Sequence, residues 1–134
     1  MSPETSRPRV LIADDHPDLI FFVRGLLEEE FDIVGTVGNG LSLVEEAIRL
    51  RPDLIVTDLS MPVLNGIEAM HKLRQAGSNS KVVFLSMYRE SEIVQACFDA
   101  GALGFVIKSD MQTDLVAALN EALAGKTYIS PSIG

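Results

Sequence analysis

Two rhythms of apolar residues alternate along the chain. Nearly continuous apolar runs occur at 9–13 (RVLIA), 32–37 (DIVGTV), 53–58 (DLIVTD), 81–86 (KVVFLS) and 104–108 (GFVIK). They are rich in Val, Ile, Leu and Phe with little polar alternation, the pattern of strands covered on both faces. Between them, apolar residues recur every three or four positions. These are Ile20, Val23 and Leu27 in 17–30; Val44, Ala47 and Ile48 in 42–50; Ile67, Met70 and Leu73 in 66–76. Ile93, Ala96, Cys97 and Ala100 follow in 90–100, and Leu115, Leu119, Ala122 and Leu123 in 112–124. That spacing predicts helices with one buried stripe. Ser42 with Glu45, and Asn65 with Glu68, read as helix N-caps. Gly77, Gly101 and Gly125 each follow a helix, where a residue with φ > 0 is wanted.

Five strand–helix units predict a parallel α/β sheet with helices on both faces, joined by right-handed crossovers. One domain is expected over residues 8–127, after a loose polar tail at 1–7. The end of the chain, with Pro131 and small polar residues, reads as the start of a linker at 128–134.

Composition narrows the partners. The chain has 134 residues, 47% of them hydrophobic, and a net charge of −8. Its mean field repels phosphates, so direct binding of nucleic acid or anionic membrane is not expected; a cation or a basic protein surface suits it better. The lone Cys97 offers neither a disulfide nor a thiolate zinc site, and with no apolar leader or membrane-length run the expected compartment is the cytoplasm. Cys97 itself reads as a small core residue.

Ligand sites in open α/β sheets lie beyond the carboxyl ends of the strands. There the first run ends in Asp14-Asp15, the third in Asp58, the fourth in Ser86 and the fifth in Lys108. Three clustered carboxylates cannot all ionise cheaply without a cation. Oxygen ligands with few carboxylates point to Mg²⁺. A carboxylate beside such an ion can act as a nucleophile toward phosphorus, with Lys108 and Ser86 placed to neutralise and hydrogen-bond the phosphoryl oxygens. Each residue alone has a plainer reading: Asp14-Asp15 as a helix cap, Asp58 as a turn residue, Ser86 and Lys108 as solvated strand ends. The constellation outweighs them.

Four segments, LIADDHP, VTDLSMPVLNG, VVFLS and GALGFVIKS, in this order and at these spacings, resemble the receiver domain of two-component response regulators. The resemblance spans nearly the whole chain. It implies a flavodoxin-like (βα)5 doubly wound sheet with strand order 2-1-3-4-5. It further implies that Asp58 accepts a phosphoryl group from a sensor histidine kinase. The ion would be Mg²⁺, for which Mn²⁺ can stand in, held by Asp15, Asp58 and the backbone carbonyl of Ser60, with Asp14 acting indirectly. Lys108 and Ser86 would bind the phosphate, Phe105 would move with Ser86, and Ser60 and Tyr88 would tune hydrolysis. The face built from the fourth helix, fifth strand and fifth helix would carry the signal.

The segment IKSD and the later GKTYISPSI are similar to receivers of the NarL/FixJ type. Those carry a C-terminal LuxR-type helix-turn-helix domain, to which DNA binding would belong; homodimerisation is also expected. Ser109 replaces the proline that often follows the lysine, so a trans bond is expected there. His16 is read as beginning the loop into the first helix rather than as a ligand, because the pocket is oxygen-type. GTVGNG and GKT lack the spacing and context of nucleotide-binding loops. Two other functions compete. A haloacid-dehalogenase-type phosphatase uses similar residues but wants D-x-D after the first strand; a stand-alone receiver would act only through protein contacts.

Overall fold

The computed structural model describes residues 7–131, and the predicted alternation is realised element by element. The order is β1 (Arg9–Ala13), α1 (Pro17–Leu27), β2 (Asp32–Val37), α2 (Gly40–Leu50), β3 (Leu54–Asp58), α3 (Gly66–Gln75), β4 (Lys81–Ser86), α4 (Ser91–Asp99), β5 (Gly104–Ile107), α5 (Met111–Leu123) and β6 (Tyr128–Ile129). All strands are parallel, in the order 2-1-3-4-5-6. This is the flavodoxin-like arrangement, with one strand more than the sequence predicts.

The strand sequences alternate between two cores rather than between core and water. Leu11, Ala13, Ile55, Val82, Phe84, Phe105 and Ile107 face the side covered by α2, α3 and α4. Val10, Ile12, Leu54, Val56, Val83, Leu85 and Val106 face α1 and α5. Burial on both faces is why these runs carry no polar alternation. Each large aliphatic residue so buried contributes about 1.5–3 kcal/mol of transfer free energy.

Helix boundaries depart from expectation for identifiable reasons. α1 ends at Leu27, three residues early, because Glu28, Glu29 and Glu30 would place three negative charges at a helix C-terminus. α2 begins at Gly40, capped by Asn39, whose side chain accepts the Ser42 N–H at 2.8 Å; the Ser42–Glu45 box is not the cap. The Asn65–Glu68 capping box forms as expected. In the helix stripes, Ala96 is exposed while Val94 joins Cys97 in the core, and Ile48 faces solvent. Gly77, Gly101 and Gly125 all have positive φ.

The largest correction concerns the C-terminus. Tyr128–Ile129 is not yet linker but a sixth strand on the open edge of β5, with Tyr128 beside Gly104 and Ile129 beside Phe105. An unpaired parallel edge leaves backbone groups without partners, and this short segment supplies them. Residues 1–6 of the expected tail and 132–134 of the expected linker lie outside the described residues. No helix among the described residues is long and apolar enough to cross a membrane.

Candidate functional site

Parallel strands deliver their carboxyl ends to one edge, and that edge collects the predicted polar residues. β1 leads directly into Asp14 and Asp15, β3 ends on Asp58, β4 ends on Ser86, and Lys108 follows β5. Register brings them level: Asp58 lies opposite Leu85, and Ser86 opposite Ile107. α3 must start close behind Asp58. Gly66 permits this, since a Cβ there would sit 2.6 Å from Phe84 Cε1 and 2.7 Å from the Asp58 carbonyl oxygen.

Asp14 and Asp58 are only 2% and 5% exposed, unusual burial for carboxylates. One cation serves both: Lys108 Nζ lies 3.2 Å from Asp58 Oδ2 and 3.4 Å from Asp14 Oδ2. Ser60 N–H donates to Asp58 Oδ1 at 3.3 Å. Burial pushes the Asp58 carboxyl above its usual range and the neighbouring Asp14 charge adds to this, while Lys108 and the Ser60 amide oppose it. Asp15, at the mouth, is about one-third exposed.

Asp14, Asp15, His16 and Asp58 each offer an atom within 4.8 Å of one another, a group able to hold a metal ion. His16 is closer to this group than its reading as a loop residue implies. Its Nδ1 lies 3.0 Å from Asp14 Oδ1 and 3.1 Å from Asp15 Oδ1, while its backbone N–H donates to Asp14 Oδ1 at 2.8 Å. It is also the N-cap residue of α1, so Asp14 turns the chain into that helix without capping it by side chain.

Ser86 is buried, and its Oγ accepts the Tyr88 N–H at 2.9 Å. Tyr88 is half exposed on the following loop. Phe105 is fully buried against the core beneath α4, so its ring is held by packing alone. The Lys108–Ser109 bond is trans. Cys97 is confirmed as a core residue: burial pushes its thiol up to about 12, which leaves it unreactive.

Two features escape a reading of the sequence. The β3–α3 loop contains a tight turn in which Leu64 N–H donates to the Pro62 carbonyl at 2.9 Å across Val63. Val63 takes φ 72°, a costly conformation for a β-branched residue. Proline and asparagine in VTDLSMPVLNG signal a turn there, but not its type. The second feature is Ser130, buried beside β5, whose Oγ accepts the Ile107 N–H at 3.0 Å.

The profile described as the response regulator receiver domain matches residues 10–120. Among curated relatives, the nitrate/nitrite response regulator protein NarL of Escherichia coli K12 is 37% identical over 126 residues, 92% of this chain and 58% of that protein. The virulence-factor transcription regulator BvgA of Bordetella pertussis is 36% identical over 121 residues, 90% of this chain and 58% of that protein. The chain therefore spans 58% of the length of these relatives. Among solved structures, a LuxR-family two-component response regulator from Aurantimonas sp. SI85-9A1 superposes with a TM-score of 0.90 at 32% identity, covering 96% of this chain and 93% of that one. The isolated receiver domain of RcsB from Salmonella enterica serovar Typhimurium, solved with the phosphomimetic BeF3−, gives 0.86 at 29% identity and covers 96% of each chain. With the profile running from β1 into α5, the chain belongs to the response regulator receiver domain family.

Proposed function

We propose that this chain is a phosphorylation-driven switch in which Asp58 is the phosphoacceptor. The observation that carries the reading is the charge balance of the pocket. Asp14 and Asp58 are buried and share one ammonium group, Lys108, while Asp15 stands at the mouth. A net negative charge is thus left where Asp58 is already pushed toward its neutral form. The donor set fits a hard dication: carboxylate oxygens dominate, and the Ser60 carbonyl is available on the adjacent loop.

Asp15, Asp58 and the Ser60 carbonyl are the groups that would hold Mg²⁺, or Mn²⁺ in its place, with Asp14 supporting them. Bound there, the ion would offset the charge of Asp58 and of the phosphoryl oxygens gathering beside it. An Asp58 carboxylate oxygen attacks phosphorus, the P–N bond to the donor imidazole breaks with its electron pair leaving on nitrogen, and an acyl phosphate forms. Lys108, already within 3.2 Å of Asp58, keeps its positive charge against the new dianion. Ser86 exchanges its bond from the Tyr88 N–H for one to a phosphoryl oxygen, and Phe105 follows into the space Ser86 vacates. That displacement would alter the face formed by α4, β5 and α5.

The expected donor is a sensor histidine kinase, and the expected compartment is the cytoplasm. The relatives' greater length supports a C-terminal helix-turn-helix domain in the full protein, and the RcsB dimers solved on DNA support a homodimer as the form that signals. An RcsB–DNA complex has been solved for one structural neighbour. The chain itself is not an enzyme in this reading beyond taking up its own phosphoryl group and slowly losing it.

Incubation with acetyl phosphate and Mg²⁺, followed by intact-mass measurement, tests the assignment. One phosphoryl group per chain is expected, and none with EDTA. An adduct that persists in Asp58→Asn, or no adduct at all, refutes it. Multiple turnover of a phosphomonoester would instead indicate the dehalogenase-type phosphatase.

A further inference from the structure

The end of β5 is finished by a side chain. One edge of the strand pairs with β4 through Ile107, opposite Ser86. The other edge pairs with β6, where Tyr128 N–H donates to the Leu103 carbonyl at 2.8 Å and Ser130 N–H to the Phe105 carbonyl at 3.0 Å. The strand pairing stops at Phe105–Ile129, two residues short of Ile107. The buried Ile107 amide is met by the Ser130 hydroxyl, at 3.0 Å. Ser130 is itself only 1% exposed, so water does not readily replace it. The next residue after Ile107 is Lys108, whose ammonium group reaches both Asp14 and Asp58.

We infer that Ser130 is a positioning residue. By holding the Ile107 N–H it fixes the strand end from which Lys108 reaches the two carboxylates. The same bond makes the segment leading out of the domain part of one hydrogen-bonded unit with the pocket. The inference deepens the proposed phosphoacceptor role and rests on it for its functional meaning. Coupling between two positions is reciprocal. If Ser130 sets the place of Lys108, then drawing Lys108 onto a phosphoryl group must change the hold on Ser130.

The full chain is compared with Ser130→Ala in three measurements. The first is the rate of phosphorylation from acetyl phosphate, with wild type also measured in enough urea to match the variant's residual stability. Ser130→Ala is expected to be about tenfold slower than the stability-matched wild type, with little change in the donor concentration giving half-maximal rate. The second is amide exchange at Ile107 and Ser130 in wild type, which should change on phosphorylation. The third is the Lys108 side-chain resonance without any phosphodonor, which should shift in Ser130→Ala. Equal rates at matched stability, or exchange indifferent to phosphorylation, would overturn the inference. If wild type takes up no phosphoryl group, the phosphoacceptor reading fails, and the third measurement still decides whether Ser130 positions Lys108.

Discussion

The two edges of the sheet both hold hollows, and the larger one is at the wrong end for chemistry. At the amino edge a cavity of about 500 Å³ lies between the ends of α2 and α3, lined by Arg51, Asp53, Ser80 and Lys81 among others. At the carboxyl edge the hollow beside Lys108, reaching Met87 and Ser109, is about 410 Å³. Polar groups at the amino edge are spent on structure. Asp53 accepts the Arg9 N–H at 2.8 Å, the Arg9 guanidinium donates to the Leu50 carbonyl at 2.7 Å, and Ser80 Oγ donates to the Pro52 carbonyl at 2.7 Å. At the carboxyl edge two buried carboxylates draw on a single lysine. Uncompensated buried charge, rather than open volume, marks the reactive end.

The sharpest way to break this comparison is to remove one carboxylate from each edge. Asp58→Asn should abolish phosphorylation, whereas Asp53→Asn, which leaves an amide oxygen to accept the exposed Arg9 N–H but removes its charge, should leave the rate within about twofold at a stability cost of about 1 kcal/mol or less. Intact-mass time courses and urea titrations measure both. If Asp53→Asn proved as damaging as Asp58→Asn, the contrast between the edges would collapse.

Lys108→Ala comes next. It strips the ammonium group shared by two buried carboxylates, and should slow phosphorylation about a hundredfold. A rate within threefold of wild type would mean that the ammonium group is not used.

The third expectation concerns pH in the presence of EDTA. The folded-state pKa of Asp58 is raised, so the folded protein binds a proton over a window where the unfolded chain has lost it. Stability must therefore fall as pH climbs from the ordinary carboxylate value of 3.8 through the raised one, with the full penalty present above it. Asp58→Asn should flatten this decline and stabilise the metal-free protein at neutral pH relative to wild type. Urea midpoints across pH, compared with those of Asp53→Asn, provide the measurement; an unchanged slope in Asp58→Asn contradicts it.

The smallest effect is expected at the rim. Tyr88 is half exposed and its backbone N–H donates to Ser86, which puts the residue next to the pocket, where a shielding role for its ring can be tested. Tyr88→Ala should hasten loss of the phosphoryl group a few-fold, on the order of 0.5–1 kcal/mol in barrier. An unchanged decay rate would exclude a shielding role.

The carboxyl edge was legible in the sequence because parallel strands are buried on both faces. Their unbroken apolar runs show where each strand ends, and the next polar residue must then stand at the edge. Asp14, Asp58, Ser86 and Lys108 were all located in this way, and the structure brings them to that edge. The less legible features depend on contacts distant in sequence. β6 pairs with a strand more than twenty residues earlier, and its two residues are too few for any periodicity to reveal. Ser130 looks like a linker serine until β5 is beside it. The position of His16 Nδ1 against both neighbouring aspartates depends on how the chain turns into α1.

By itself the sequence determined the alternation of elements, the two-sided core and the identity of the acidic residues, because these follow from local periodicity and from where apolar runs stop. Only the tertiary structure decided how charge is shared among them. It buried Asp14 and Asp58 around one ammonium group, left Asp15 at the mouth, and tied the end of β5 to Ser130. Burial and pairing depend on neighbours contributed by other strands, and no single stretch of sequence contains them.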